Sequence, residues 1–306
     1  LSVQKSFLFD RGFWYLLVGS GLFALKGIFI KLAYQYDVDT TELIALRMIF
    51  SLPIYIIILL YSWKTHTTKI KGELCLKIAV LGLFGYYFAS WLDLYALNFI
   101  PANIGRVVLY TYPTFVLLIS TFFLKNSLQK RLVILLATIY TGLLFVLGPS
   151  VFKEDLGDIS WSFLWGVLLT LGSGLSYAVY LVGADVLSSR VSSKLFTSLA
   201  ITAASVGILI HYFSLYSFAN LFEQPLPVYG YGLAIAIFST VLPSFLITSG
   251  IIRLGAEMGS AMTTVSPLFT LVFAYFLLNE TLTLVQSVGF FIVLIAVYQL
   301  SLTKKG

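Results

Sequence analysis

The stretch Pro101–Asn126, PANIGRVVLYTYPTFVLLISTFFLKN, returns 154 positions later as Gly255–Glu280, GAEMGSAMTTVSPLFTLVFAYFLLNE. Ala102, Gly105, Pro113, Phe115, Leu117, Phe122 and Leu124 recur as Ala256, Gly259, Pro267, Phe269, Leu271, Phe276 and Leu278. Each copy is apolar over enough residues to cross a bilayer, with small residues at its start, a proline near its middle and a polar stop. Pro113 cannot donate to the carbonyl of Leu109, nor Pro267 to that of Thr263, so each helix is expected to weaken or bend near mid-membrane. A carbonyl freed there survives where protein, a polar side chain or a water-filled cavity satisfies it. Paired interruptions at corresponding positions of two halves point to a transporter's binding site, although membrane prolines also serve packing alone.

Composition places the chain in a membrane. Of its 306 residues 59% are hydrophobic and 10% charged, with mean hydropathy +0.96, far from the roughly 25% charge of soluble domains. The 26 Phe, 19 Tyr and 5 Trp suit interfacial belts and leave room for an aromatic pocket. The net charge of +6 is dispersed over short loops rather than gathered on one face, which argues for orientation and against a nucleic-acid partner. Cys75, the single cysteine, excludes an internal disulfide and any multi-cysteine metal site. Trp14 onward reads as a first span rather than a removed signal.

Hydropathy and punctuation predict ten spans at 13–35, 42–63, 74–97, 102–124, 131–149, 162–187, 195–216, 228–252, 257–278 and 283–302. With the N-terminus inside, Lys5, Arg11, Lys64, Lys69, Lys71, Lys77, Lys125, Lys130, Arg131, Arg190, Lys194, Arg253, Lys304 and Lys305 fall on the cytoplasmic side, and only Lys153 on the other. Asp37, Asp39, Glu42, Glu154, Asp155, Asp158, Glu223 and Glu280 collect opposite. The bias supports both the count and cytoplasmic termini. A second echo, Gly19-Ser20-Gly21-Leu22 against Gly172-Ser173-Gly174-Leu175, joins the first and sixth spans. The expected fold is therefore an all-α integral membrane protein of ten transmembrane helices, arranged as two inverted five-helix repeats, 1–149 and 161–306, with a linker at 150–160.

Charges inside spans are functional candidates, because a lone charge in hydrocarbon is costly. Lys26, Arg47, Arg106 and Asp93 qualify, while Lys31 stands closer to an interface where its ammonium can snorkel. Lys26, near the middle of its span, reads either as a cation holding an anionic substrate group or as a structural partner of Asp93 or of a helix carbonyl. Asp93 and Arg106 flank the turn Asn98 to Pro101 and are expected to pair, with Arg47 at similar depth. They read as a buried ion pair, as a gate, or as a coupling carboxylate.

Helical spacing adds polar stripes. Asn103, Arg106, Tyr110 and Pro113 share one face, as do Tyr86, Ser90 and Asp93, and likewise Ser173, Tyr177 and Tyr180. Gly259, Thr263, Ser266 and Pro267 mark the ninth span, and Ser239, Pro243 and Ser244 the eighth. Such residues line aqueous paths and also pack helices closely. Gly255-Ala-Glu-Met-Gly259 fits a GxxxG dimerisation pattern and so admits a homodimer. His66 and His211 have no metal-ligand spacing, and the chain carries no HExxH, P-loop or GxGxxG, so no metal, cofactor or enzyme chemistry is expected.

With Ile100-Pro101-Ala102-Asn103-Ile104-Gly105 running to Tyr112-Pro113-Thr114, its counterpart Leu254 to Gly259 running to Ser266-Pro267-Leu268, and the stop Leu278-Asn279-Glu280, the chain resembles the drug/metabolite transporter superfamily in its ten-span form with two EamA-type repeats. The resemblance implies a secondary carrier with a cavity between the repeats and helices five and ten packed together away from the path. The first repeat departs from the second at the acidic stop, with Asn126 where the second has Glu280. The expected function is alternating-access transport of a small metabolite, an amino acid or related carboxylate, in a bacterial inner (plasma) membrane. The expected substrate-site residues are Lys26, Tyr110, Tyr177, Ser173 and Ser266, with Asp93, Arg106 and Arg47 as gate or coupling residues and Pro113 and Pro267 as helix breaks. A flippase for lipids or lipid-linked metabolites, or an exporter of cationic drugs, is the alternative. The partners expected are a small-molecule substrate and membrane lipids.

Overall fold

A computed structural model describes residues 10–65, 70–151, 161–187, 189–278, 281 and 283–302. His66, Asn279, Glu280 and the segment 152–160 lie outside the described residues, as does the side chain of Asn103. Within them ten helices are long and apolar enough to span a bilayer: α1 Arg11–Tyr36, α2 Thr41–Thr65, α3 Gly72–Ala96, α4 Ile104–Phe123, α5 Lys130–Gly148, α6 Trp161–Leu187, α7 Ser193–Leu215, α8 Leu226–Leu254, α9 Ala256–Leu278 and α10 Leu284–Ser301. Helix is the expected outcome because it satisfies every backbone group within the segment. Local chemistry sets several starts. Asp10 Oδ1 accepts from the Gly12 N–H at 2.7 Å, Ser192 caps α7, and Thr283 with Gln286 forms a reciprocal capping box on α10.

The contacts follow from the duplication. α1 packs on α8 and α9, and α6 packs on α3 and α4, so exchanging the halves carries one set of neighbours into the other. α2 pairs with its own counterpart α7, and α5 with α10. The halves run in opposite senses: the start of α1 at Gly12 meets the end of α8 at Arg253 and Leu254, and the start of α6 at Gly166 meets Phe99 and Ile100, just past the end of α3. The α5–α10 contact is close enough to need glycine. A Cβ on Gly289 would lie 2.6 Å from both the Gly142 carbonyl oxygen and Phe145 Cβ. The Gly255–Gly259 pair also serves contacts inside the chain: Gly255 turns α8 into α9 at φ 88°, and Gly259 lies against Ile251.

One end of the bundle carries Arg11, Lys64, Arg190, Lys194 and Arg253, and is called the basic end; the other carries Asp37, Asp39, Glu42 and Glu223. At the basic end a single apolar cluster joins residues of nine helices, among them Phe13, Ile78, Val116, Leu132, Leu187, Phe196, Leu254, Met258 and Leu300. Packing divides at the acidic end. Ala33, Leu43, Tyr212 and Val228 unite α1, α2, α7 and α8, while Ala96, Ile100, Ile104 and Leu169 unite α3, α4 and α6. A seam between two packed groups thus runs inward from the acidic end and closes at the basic one.

Candidate functional site

The seam ends at two helix breaks. α4 is helical over Ala102–Leu109 and again over Tyr112–Phe123; α9 is helical over Ala256–Thr263 and again over Ser266–Leu278. The break expected at each proline falls in the turn between the carbonyl it cannot serve, Leu109 or Thr263, and the proline itself. The chain breaks before the proline, which then occupies the first turn of the new helix, where no intrahelical N–H is needed. Hydroxyls cover carbonyls near the breaks: Thr111 Oγ1 donates to Val108 O at 2.7 Å, and Thr264 Oγ1 to Ala261 O at 2.6 Å. Tyr112 and Thr263, one beside each break, lie 2.5 Å apart through their side-chain oxygens.

A second pair of irregularities escaped the sequence reading. α3 turns π-helical over Leu83–Phe88 and α8 over Ile237–Val241, so that the Ala89 N–H bonds Phe84 O and the Leu242 N–H bonds Ile237 O. The two segments begin 154 positions apart, the offset of the repeat. Pro243, which cannot donate to Ser239, supplies a signal in α8. α3 has no proline there; instead Gly85 lies so close to Tyr180 that any Cβ would collide with the ring. Extra residues of this kind commonly mark functional positions.

Between the breaks and the π turns lies a cavity of about 140 Å³. Lys26, Arg47, Asp93, Arg106, Tyr110, Ser173, Tyr177 and Ser266, all the residues singled out for site, gate or coupling, line it together. A contiguous lobe of about 160 Å³ shares Phe23, Lys26, Arg106, Tyr110 and Ser266 with it and reaches Gly27, Pro267 and Thr270. Pro267 therefore lines the lobe, whereas Pro113 is buried and lines neither space. Lys26, at the junction, stands about 15 Å from the acidic end by helical rise, with its ammonium 5.9 Å from the centroid of the Phe23 ring. Lys31 is exposed toward the end of α1.

Exposure grades along the cavity. Arg106 is exposed, Lys26 and Asp93 are partly buried, and Ser20, Ser239, Ser244 and Ser266 are buried at its depth. The expected Asp93–Arg106 ion pair does not form: among the described residues neither pairs with an opposite charge, nor do Lys26 and Arg47. All four face the cavity instead. The π turn Leu83–Phe88 lies just before Asp93, and Tyr86, Ser90 and Asp93 line the chamber together as their spacing predicts. Arg47 is 5% exposed, and its Nε, with Ser20 Oγ and Ser239 Oγ, has no hydrogen-bond partner among the described residues. Three cations and one carboxylate in a low-dielectric chamber form a strong anion-attracting field, with hydroxyls spare for a polar ligand.

The charge is one-sided. Every charged residue of the chamber belongs to the first repeat, whereas the second supplies hydroxyls from Ser173, Tyr177, Ser239, Thr240, Ser244, Thr263 and Ser266. At the repeat offset, Asp93 corresponds to Ile247 and Arg106 to Ser260. Several walls remain symmetric: Tyr86 answers Thr240, Ser90 answers Ser244, and Ser20 answers Ser173. Beneath them Tyr86, Tyr112, Tyr177 and Tyr180 form an aromatic floor with ring centroids 5.2 to 6.2 Å apart. Tyr180 thus supports the chamber from below rather than lining it.

A duplicated five-helix unit enclosing a polar chamber defines a polytopic membrane carrier of the drug/metabolite transporter type. The chain belongs to the EamA-like transporter family, whose model matches residues 10–148 and 164–302. It is similar to the uncharacterized transporter YcbK of Bacillus subtilis (strain 168), with 30% identity over 284 residues that cover 90% of this chain and 88% of the relative. The uncharacterized transporter YvbV of the same organism is 26% identical over 246 residues, covering 79% and 77%. A solved crystal structure superposes with a TM-score of 0.73 over 94% of this chain and 93% of its own, at 16% identity, a likeness of fold. The protein is an integral membrane transporter.

Proposed function

We propose that this transporter is a secondary carrier for a small carboxylate-bearing solute, an amino acid or related organic acid, working by alternating access in a bacterial inner membrane with both termini in the cytoplasm. The observation that carries this reading is the convergence of Lys26, Arg47 and Arg106 with the single carboxylate of Asp93 on one chamber between the repeats, none of them neutralised by another. Arg106 at the exposed margin draws the anion in, and Lys26 at the junction of the lobes holds it. Asp93 faces the amino group of a zwitterion or carries a coupling proton. Ser173, Ser266, Tyr110 and Tyr177 orient the remaining polar atoms. The excess of cations disfavours a cationic drug as cargo.

Flux into proteoliposomes tests the reading with matched compounds that differ only at the carboxylate. Counterflow of an amino or organic acid, with none of its amide, is expected. Equal flux of both, or flux of neither across a broad acid panel, would contradict it. One observation favours the flippase: an apolar side pocket of about 90 Å³ between α2, α3 and α7 shares Ser90 with the chamber and is walled by Tyr87, Trp91 and His211. Transfer of a labelled lipid without acid flux would bring that reading forward.

A further inference from the structure

A larger hollow lies elsewhere, at the basic end, between the α1–α8 pair and the α2–α7 pair. It measures about 630 Å³ and shares no lining residue with the central chamber. Consecutive residues of α8 face the two spaces, Leu246 toward the hollow and Ile247 toward the chamber, with Gly19 of α1 packed against both. Its rim carries Lys194 in the first turn of α7 and Arg253 in the last turn of α8, both exposed, while Phe245 and Leu246 form an apolar inner wall. The guanidinium carbon of Arg253 lies over the Tyr15 ring, 5.6 Å from its centroid. Ser249 Oγ donates to Ser193 Oγ at 3.0 Å and ties the two rims together. Tyr61 of α2, 66% exposed, also lines the hollow.

We propose that this hollow is a binding site for an anionic phospholipid, with the headgroup phosphate between Lys194 and Arg253 and the upper acyl chain on Phe245 and Leu246. Charge complementarity selects the occupant. Two exposed cations at the ends of spanning helices, beside an apolar wall, match a molecule with an anionic head and a hydrocarbon tail. A small soluble anion would use the rim and leave the wall unoccupied.

The test is the melting temperature of the purified chain in mild detergent, with phosphatidylglycerol, phosphatidylcholine of the same acyl chains, or glycerol 3-phosphate added. Phosphatidylglycerol is expected to raise it more than phosphatidylcholine, and Lys194→Gln with Arg253→Gln to abolish that difference while keeping the phosphatidylcholine response. Native mass spectrometry of Lys194→Gln alone, an exposed change, is expected to show fewer retained phosphatidylglycerol molecules than the parent. Equal stabilisation by both lipids, a difference that survives the double variant, unchanged lipid retention in Lys194→Gln, or full stabilisation by glycerol 3-phosphate alone would each overturn the proposal.

Discussion

The side-chain oxygens of Tyr112 and Thr263 meet at 2.5 Å across the boundary between the repeats. Tyr112 opens the second half of α4 and Thr263 closes the first half of α9, so one buried hydrogen bond links the two helix breaks directly. Tyr112 also donates within reach of Ser260 O at 3.3 Å, and Ser266, just past the second break, donates to Ser20 O at 3.2 Å. The breaks therefore form one hydrogen-bonded joint beneath the chamber.

Tyr112→Phe removes the hydroxyl and leaves Thr263 buried with one partner fewer. A loss of about 1 to 2 kcal/mol is expected, and a double-mutant cycle with Thr263→Ala should give a coupling of about 1 kcal/mol. Thermal or denaturant unfolding in detergent measures both. A coupling near zero would mean that the two breaks are not joined through this bond.

Gly27 lines the side lobe, and a Cβ added there meets nothing within 4 Å. Gly27→Ala should preserve or slightly raise stability, by up to about 1 kcal/mol. Gly27→Trp should fill the lobe and abolish transport while the protein still folds. Gly289→Leu, at the α5–α10 contact, should do the reverse: overpacking costs about 1 to 3 kcal/mol and acts through folding rather than through the chamber. Size-exclusion profile and flux, read together, separate the two cases.

The open seam is testable by accessibility. In a Cys75→Ser background, Ser90→Cys in the chamber should react with a membrane-impermeant thiol reagent applied to the acidic face, and Met258→Cys in the basic-end cluster should not. Loss of Ser90→Cys labelling from the acidic face on adding substrate, with Met258→Cys then labelled from the basic face, would report the alternate state. Labelling of both positions from one face at all times would contradict an alternating path.

Span count, duplication and the membership of the chamber were legible because each leaves a local mark: apolar length, an offset echo, or a charge where hydrocarbon forbids one. Lys26, Asp93 and Arg106 stood out on that last ground. The unpaired state of Asp93 and Arg106 did not, because it depends on how α3 and α4 are set against each other, which spacing within each helix does not carry. Pro243 marks the π turn in α8 locally, and the repeat offset carries that mark to Leu83 in α3. Ser20 and Thr240 were missed as lining residues, because a small hydroxyl on a membrane helix packs as often as it binds.

If the joint and the π turns set the chamber's shape, Pro243→Ala should allow α8 to regain regular bonding through Ser239 and rotate Ser239 and Thr240 away. Transport should fall several-fold with little loss of stability. Unchanged flux would make the π turn incidental.

In this carrier Lys26 is proposed to hold the anionic group of the cargo. The most direct measurement is the melting temperature of the purified protein against amino acids, organic acids, nucleotides, cations and lipids, with Lys26→Ala beside the parent. Stabilisation by one carboxylate-bearing class, with apparent affinity at least about tenfold weaker in Lys26→Ala, equivalent to about 1.4 kcal/mol, is the predicted result. Stabilisation by such solutes that is undiminished in Lys26→Ala, or stabilisation by cations or lipids alone, would contradict it and leave Lys26 a structural residue of α1.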